Sequence, residues 1–131
     1  MIRRRNFTVF VAFLFFLSAC ATAPTHEEIS RIGYGEPLAV DYHRVINDYF
    51  NETLFDPYSA KIDIGTPDTG SIRTSLIEGR EVIAGYFVPV KVNAKNRYGA
   101  YVGNKDYLFI FRNDQLVKIL NPEDLALTRW K

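Results

Sequence analysis

The sequence predicts an α+β domain: one N-terminal helix packed on a three- to four-stranded antiparallel β-meander, after a cleaved export leader and a flexible tether. Three observations carry this. One apolar stripe at helical spacing runs from Leu38 to Leu54. After Ala60 the apolar residues alternate in short runs, as in half-buried strands. Gly, Pro, Asn and Asp separate those runs at intervals that suit hairpins. A helix laid on one sheet face is the economical way to bury both apolar surfaces.

Length and charge set the outer limits. The chain has 131 residues, enough for one domain and its terminal segments. Sixteen Lys and Arg stand against fifteen Asp and Glu, a formal charge of +1. Arg3, Arg4 and Arg5 are the only charges before Cys20. Without them thirteen cations face fifteen acids, so the remainder carries −2. No run of Lys and Arg escapes local compensation, which argues against a basic nucleic-acid binder. A single apolar run excludes a multi-span membrane protein.

That run lies in residues 1–20, MIRRRNFTVFVAFLFFLSAC. A tri-arginine start, an apolar stretch from Phe7 to Leu17 and then small residues form the order of an export signal. A helix needs about 20 apolar residues to cross a bilayer, so this stretch is too short for a permanent span. Leu17-Ser18-Ala19-Cys20 resembles the bacterial lipobox. The resemblance implies a signal peptide over residues 1–19, cut before Cys20. It also implies diacylglycerol in thioether linkage to Cys20 and an acyl chain on the new amine, with no other cofactor. Each buried CH₂ contributes about 0.8 kcal/mol, so three chains anchor where one is marginal. Ala21 stands where Asp favours inner-membrane retention in enterobacterial lipoproteins. By that resemblance the protein sits in the outer membrane, lipid-anchored and facing the periplasm. Cys20 is the only cysteine, so no intramolecular disulfide staples the domain.

Residues 20–37 are polar and broken by Pro24, Gly33, Gly35 and Pro37; they read as tether, and residues 38–131 as the domain. Ile32 and Tyr34 are apolar enough to dock on it. The helical stripe is Leu38, Tyr42, Val45, Ile46, Tyr49, Phe50 and Leu54, with Asp41, Arg44, Asp48 and Glu52 opposite. Pro57 stops the helix near Phe55. The first strand is Lys61–Ile64, residues 65–70 are turn chemistry, and residues 75–77 form a short strand. Val82–Asn93 places Tyr86, Val88, Val90 and Val92 on one face and Phe87, Pro89 and Lys91 on the other. Pro89 has no N–H, which predicts an edge strand or a bulge there. Lys105–Arg112, a turn at Asn113-Asp114 and Gln115–Leu120 form a hairpin. In its second strand Leu116, Lys118 and Leu120 oppose Val117 and Ile119. Pro122 begins a last helical turn, and Trp130 is placed to cap the core.

No nucleotide-binding, metalloprotease or EF-hand pattern occurs. His26 sits in the tether beside two glutamates and reads as solvated. His43 finds neither a metal partner nor a base partner one helical turn away. Ser59, Ser71 and Ser75 have no histidine near in sequence. No enzyme is expected. The densest stretch is the loop 93–103, with Asn93, Asn96, Tyr98 and Tyr101 joined by glycines and flanked by Lys95 and Arg97. In one reading the tyrosines stack on a ligand or partner while the amides and cations supply hydrogen bonds. In the plainer reading the Asn side chains tie the turn's backbone and the Tyr rings cover the sheet.

The turn 56–60, the run from Val90 to Tyr101 and the strand from Tyr107 to Asn113 together resemble a group of small, uncharacterised proteobacterial envelope lipoproteins. The resemblance spans roughly residues 34–120 and implies no catalytic residue. The helix-then-meander layout is also similar to the small lipoprotein of the outer-membrane β-barrel assembly machinery. The resemblances say little of activity; the expected role is binding an envelope protein, as an accessory to an assembly or secretion complex. The alternative is a periplasmic ligand-binding or inhibitor module that uses the loop 93–103 for peptidoglycan fragments or a foreign enzyme.

Overall fold

A computed structural model describes residues 22–128. The leader, Cys20 and Trp130 lie outside the described residues, with the readings attached to them. The elements are α1 (His26–Ile32), α2 (Tyr42–Thr53), a 3₁₀ turn (Pro57–Ser59), β1 (Lys61–Ile64), β2 (Asp68–Arg73), β3 (Val82–Asn93), β4 (Lys105–Arg112), β5 (Gln115–Leu120) and α3 (Pro122–Leu127). The strands form one antiparallel sheet. β3 is central: β4 and then β5 lie on one side, while β1 and β2 share the other. The α+β class is as expected, with three helices and five strands instead of one helix and three or four strands.

The expected helix forms because its stripe has a sheet to meet. The Asp41 carboxylate accepts from the Arg44 N–H at 3.1 Å and caps the first turn. Ile46 and Phe50 are buried against Val88, Val90, Val92, Phe109 and Phe111. The Phe50 ring meets Phe109 and Tyr107 edge-on, at 5.7 and 5.1 Å between centroids. Leu54 is already extended, two residues before Asp56, the position that Pro57 bars from the helix. On the opposite face Ile72, Phe87, Leu108, Ile110 and Leu120 cluster, and Leu125 of α3 packs against them. α3 has a full capping box between Asn121 and Asp124.

Three strand expectations are corrected. Residues 65–70 were expected as turn and 75–77 as strand; instead β2 occupies 68–73 and the turn falls at 76–80. Gly70 belongs to a strand because the Phe87 ring lies over it. A Cβ there would stand 2.7 Å from Cδ2 of Phe87. Pro89 marks neither a sheet edge nor a bulge. β1 ends opposite Val90 and β2 begins opposite Phe87, so Pro89 faces the break between them. The Gly65 N–H donates to the Pro89 carbonyl at 2.8 Å, on the side where an amide at Pro89 would also point. The ladder to β4 runs past it undisturbed. Finally, the β4–β5 register shifts between Ile110 and Phe111, leaving Val117 unpaired. Leu116 therefore joins Ile119 on the α2 face, while Lys118 and Leu120 stay on the other.

The expected tether is also corrected from Thr22 onward. Thr25 and Glu28 form a reciprocal capping box that starts α1. Arg112 closes its other end: Nη2 donates to the Ile32 carbonyl at 2.7 Å and Nη1 to that of Gly33 at 2.8 Å. Asn113 and Asp114 take the two left-handed positions of the β4–β5 turn, at φ 49° and 61°. The Asn113 side chain accepts from the Glu36 N–H, and Asp114 accepts from Ala39 and Val40. The segment is polar because its partners are hydrogen-bonding groups, which leaves no apolar period to read.

Candidate functional site

β3 gives the molecule two ends. Its twelve residues span roughly 40 Å. The turn from β2 lies at its start. The loop to β4 lies at its finish.

At the finishing end the loop 93–103 folds on itself. The Asn96 side-chain oxygen accepts from the Tyr98 and Ala100 N–H groups at 2.9 and 3.2 Å. The Asn93 side-chain oxygen accepts from Gly103 N–H at 3.2 Å. Lys95 bridges to Tyr101 across the loop. Both carboxamide oxygens thus hold backbone, in line with the plainer reading of these two residues. Tyr101 lies along the surface: its hydroxyl donates to the Ser59 carbonyl at 2.8 Å, and its ring lies 5.0 Å from Lys61 Nζ and 5.3 Å from Lys95 Nζ. Such placement is attractive for a cation over a π-face. Tyr98 does not cover the sheet. It is 86 % exposed at the loop's tip.

The fold brings further residues here that the sequence left apart. Tyr101 fastens the loop to the 3₁₀ turn, where Tyr58 is 99 % exposed and Phe55 follows α2 into solvent. Lys61 pairs with Asn93 and shares the Tyr101 ring with Lys95, so strand register adds it to the loop's Lys95 and Arg97; Lys105 pairs with Val92, on the opposite face of the sheet. The ion pairs among the described residues are Glu27–Arg31, Glu28–Arg73 and Glu78–Lys118; none involves these four cations. Lys61 of β1 thus meets Lys95 of the loop across the Tyr101 ring, a grouping that no single run of sequence shows. Asp63 and Asp106 are exposed in β1 and β4, close in sequence to Lys61 and Lys105, and the Asp56 carboxylate is engaged with Ser59. The only signal in the sequence was spacing between strands, which requires the register to be known. The four expected site residues thus sort into a scaffold (Asn93, Asn96), a fastener with a cation-flanked face (Tyr101) and an exposed ring (Tyr98).

At the starting end the chain arrives from the N-terminus. Arg73 Nε donates to the Thr22 carbonyl at 3.2 Å, and its Nη2 donates to Glu28 at 2.5 Å. The Thr25 N–H, then Arg73, then the Thr25 hydroxyl lower the Glu28 carboxyl from 4.5 to about 2. Glu78, in the β2–β3 turn, is held below its ordinary value by Lys118 first and by the Ser75 N–H next. A carboxyl depressed in the folded state stabilises above its unfolded pKa, and that stabilisation is lost as pH falls through the folded value. The α1 attachment is therefore expected to be complete above about pH 4.5 and to loosen towards pH 2. Amide exchange across α1, followed by NMR against pH, checks this. Glu28→Gln should leave α1 loosened and without a transition in that window.

The remaining candidates for chemistry are separate. His26 and His43 are both exposed, and His43 stacks on Tyr42 at 4.5 Å. Among the described residues no group of three His, Cys, Asp or Glu could hold a metal ion. Among the described residues no helix is long and apolar enough to cross a membrane. Comparison with protein-family models, with curated proteins and with solved structures finds no match to this chain.

Proposed function

We propose that the chain is a lipid-anchored bacterial envelope protein, held to the outer membrane through Cys20, that works by binding a partner protein at the loop end. An accessory role in an assembly or secretion complex fits this arrangement. The observation that carries it is the exposed Tyr98, Tyr58 and Phe55 at the end where Lys61 and Lys95 flank the Tyr101 ring, both outside any ion pair of the described residues. Exposed aromatic rings and Arg are the residue types that anchor protein interfaces. The cations call for an acidic patch on the partner. A small-ligand pocket has less support here, because the Asn93, Asn96 and Tyr101 polar groups already hold the loop.

Mild cross-linking in intact envelopes, followed by detergent extraction and identification of what co-purifies, tests this. A stoichiometric envelope protein is expected with the wild type and should be lost with Cys20→Ala. Tyr98→Ala combined with Arg97→Ala should lose it at least tenfold while the domain stays folded, since anchor residues of this type cost about 2 kcal/mol or more. Retention of the partner by the double variant would contradict the loop end as the binding surface. Absence of any protein partner would move the reading to glycan fragments.

A further inference from the structure

The hairpin turn at the opposite end carries an apolar surface that the partner-binding reading does not use. Ile77 is 99 % exposed and Leu76 63 %, at the tip of the turn between β2 and β3. Leu127, at the end of α3, is 82 % exposed. These three side chains rim an apolar groove of about 510 Å³ floored by Ile72 and Leu120. Large aliphatic side chains grouped this way on a small domain mark a surface that meets something apolar.

The path of the chain says what that is. Arg73 holds Thr22, and Arg73 lies only three residues before Leu76. Only Ala21 separates Cys20 from Thr22, and two Cα–Cα steps reach at most about 7 Å. An acylated Cys20 therefore delivers the bilayer to the end of the molecule that bears Leu76 and Ile77. The local charges agree. Arg73 is paired with Glu28 and Lys118 with Glu78; the other charges lining the groove are Arg80 and Asp124, one of each sign. Arg80 stands exposed beside the turn, in no ion pair of the described residues, as suits a headgroup phosphate.

We propose that the β2–β3 turn rests in the bilayer interface, with Leu76 and Ile77 inserted at the level of the headgroups and upper acyl chains. The proposal rests on the lipid-anchor reading. It adds a second, non-covalent contact that fixes the domain's orientation. Insertion of a few apolar side chains beside a covalent lipid is a two-signal attachment, stronger and more directional than the lipid alone. The loop end then points away from the membrane.

The test uses the full lipidated chain, extracted in detergent and reconstituted in phosphatidylethanolamine–phosphatidylglycerol vesicles. With Cys20 acylated, Ile77→Cys supplies the only free thiol for an environment-sensitive dye, and Tyr98→Cys supplies the control. Both sites are exposed, so neither variant endangers the core. The dye at 77 is expected to shift to the blue on reconstitution and to be quenched by nitroxide lipids. The dye at 98 should do neither. Adding Leu76→Ser should lose most of the quenching at 77. A dye at 77 that keeps its aqueous emission, in protein whose mass shows an acylated Cys20, overturns the insertion and leaves the anchor reading standing. An unmodified Cys20 overturns both. A shift that appears without lipid and grows with protein concentration assigns the patch to a second copy of the chain and overturns the proposal.

Discussion

Gly85→Ala is expected to destabilise the domain strongly, although it adds a single methyl group. Gly85 is buried in the central strand, opposite Gly70 of β2. A Cβ placed on it would stand 2.3 Å from the Phe111 carbonyl oxygen and 3.3 Å from the Phe111 carbonyl carbon. The obstacle is backbone, so no rotamer change relieves it. β3 and β4 would have to separate by about an ångström just where their ladder ends at Tyr86 and Phe111. The Arg112 guanidinium, whose Nη1 donates to the Ala84 carbonyl at 2.8 Å, would lose that bond as well. Overpacking costs typically 1–3 kcal/mol and more when the backbone must move, so a loss of about 3 kcal/mol or more is expected. Each kcal/mol lowers Tm by roughly 4–8 °C in a domain of this size. Thermal unfolding by circular dichroism checks it. A Tm within a few degrees of the wild type would mean that the strands do not approach so closely. Gly79→Ala is the contrast: its φ of 85° is strained for alanine, but its Cβ would meet only Glu81 Cγ at 4.0 Å. The cost there should be about 1 kcal/mol.

Phe109→Ala is the second large effect. Phe109 is fully buried in β4, beneath α2. Its ring takes edge contacts from Tyr49 at 5.4 Å and Phe50 at 5.7 Å. Truncation removes the transfer free energy of the ring, leaves a cavity at the helix–sheet junction and breaks both aromatic pairs. Phe→Ala changes of this kind cost about 3–5 kcal/mol, with edge-to-face pairs adding about 0.5–1.5 kcal/mol each. With no disulfide among the described residues to hold the domain, that is a large share of a total of about 5–15 kcal/mol. Denaturant unfolding measures it as a lower midpoint. Phe109→Leu, which refills most of the volume, should cost less than half as much. Equal costs for the two variants would mean that the cavity does not persist.

Phe109 also shows what the sequence makes legible. The α2 stripe, the alternation of β3 and the β4–β5 turn all depend on near neighbours, and each appears where its residues point. Tyr107, Phe109 and Phe111 lie on one strand face as expected, and that face is the one α2 covers. The departures come from distant groups. Gly70 reads as turn until Phe87 lies over it. Pro89 reads as an edge until two partner strands break opposite it. Leu116 changes face because of a bulge that no alternation records. α1 had a local signal in the Thr25 to Glu28 capping box, but Pro24, Gly33 and Gly35 around it read as tether. The candidate site divides the same way. The loop and its exposed Tyr98 were visible in one stretch of sequence. Lys61, Phe55 and Tyr58 join it only through strand register and the Tyr101–Ser59 bond.

The two ends of β3 carry the functional reading, so the most direct measurement compares them in the intact cell envelope. A photo-reactive side chain placed at Tyr98 in one strain and at Ile77 in another, both with Cys20 unchanged, reports what each end touches. The expected result is a protein adduct of defined mass from position 98 and phospholipid adducts from position 77. The reverse pattern, with lipid at 98 and protein at 77, would contradict a domain that stands on its hairpin turn and presents its aromatic, cationic loop to a partner.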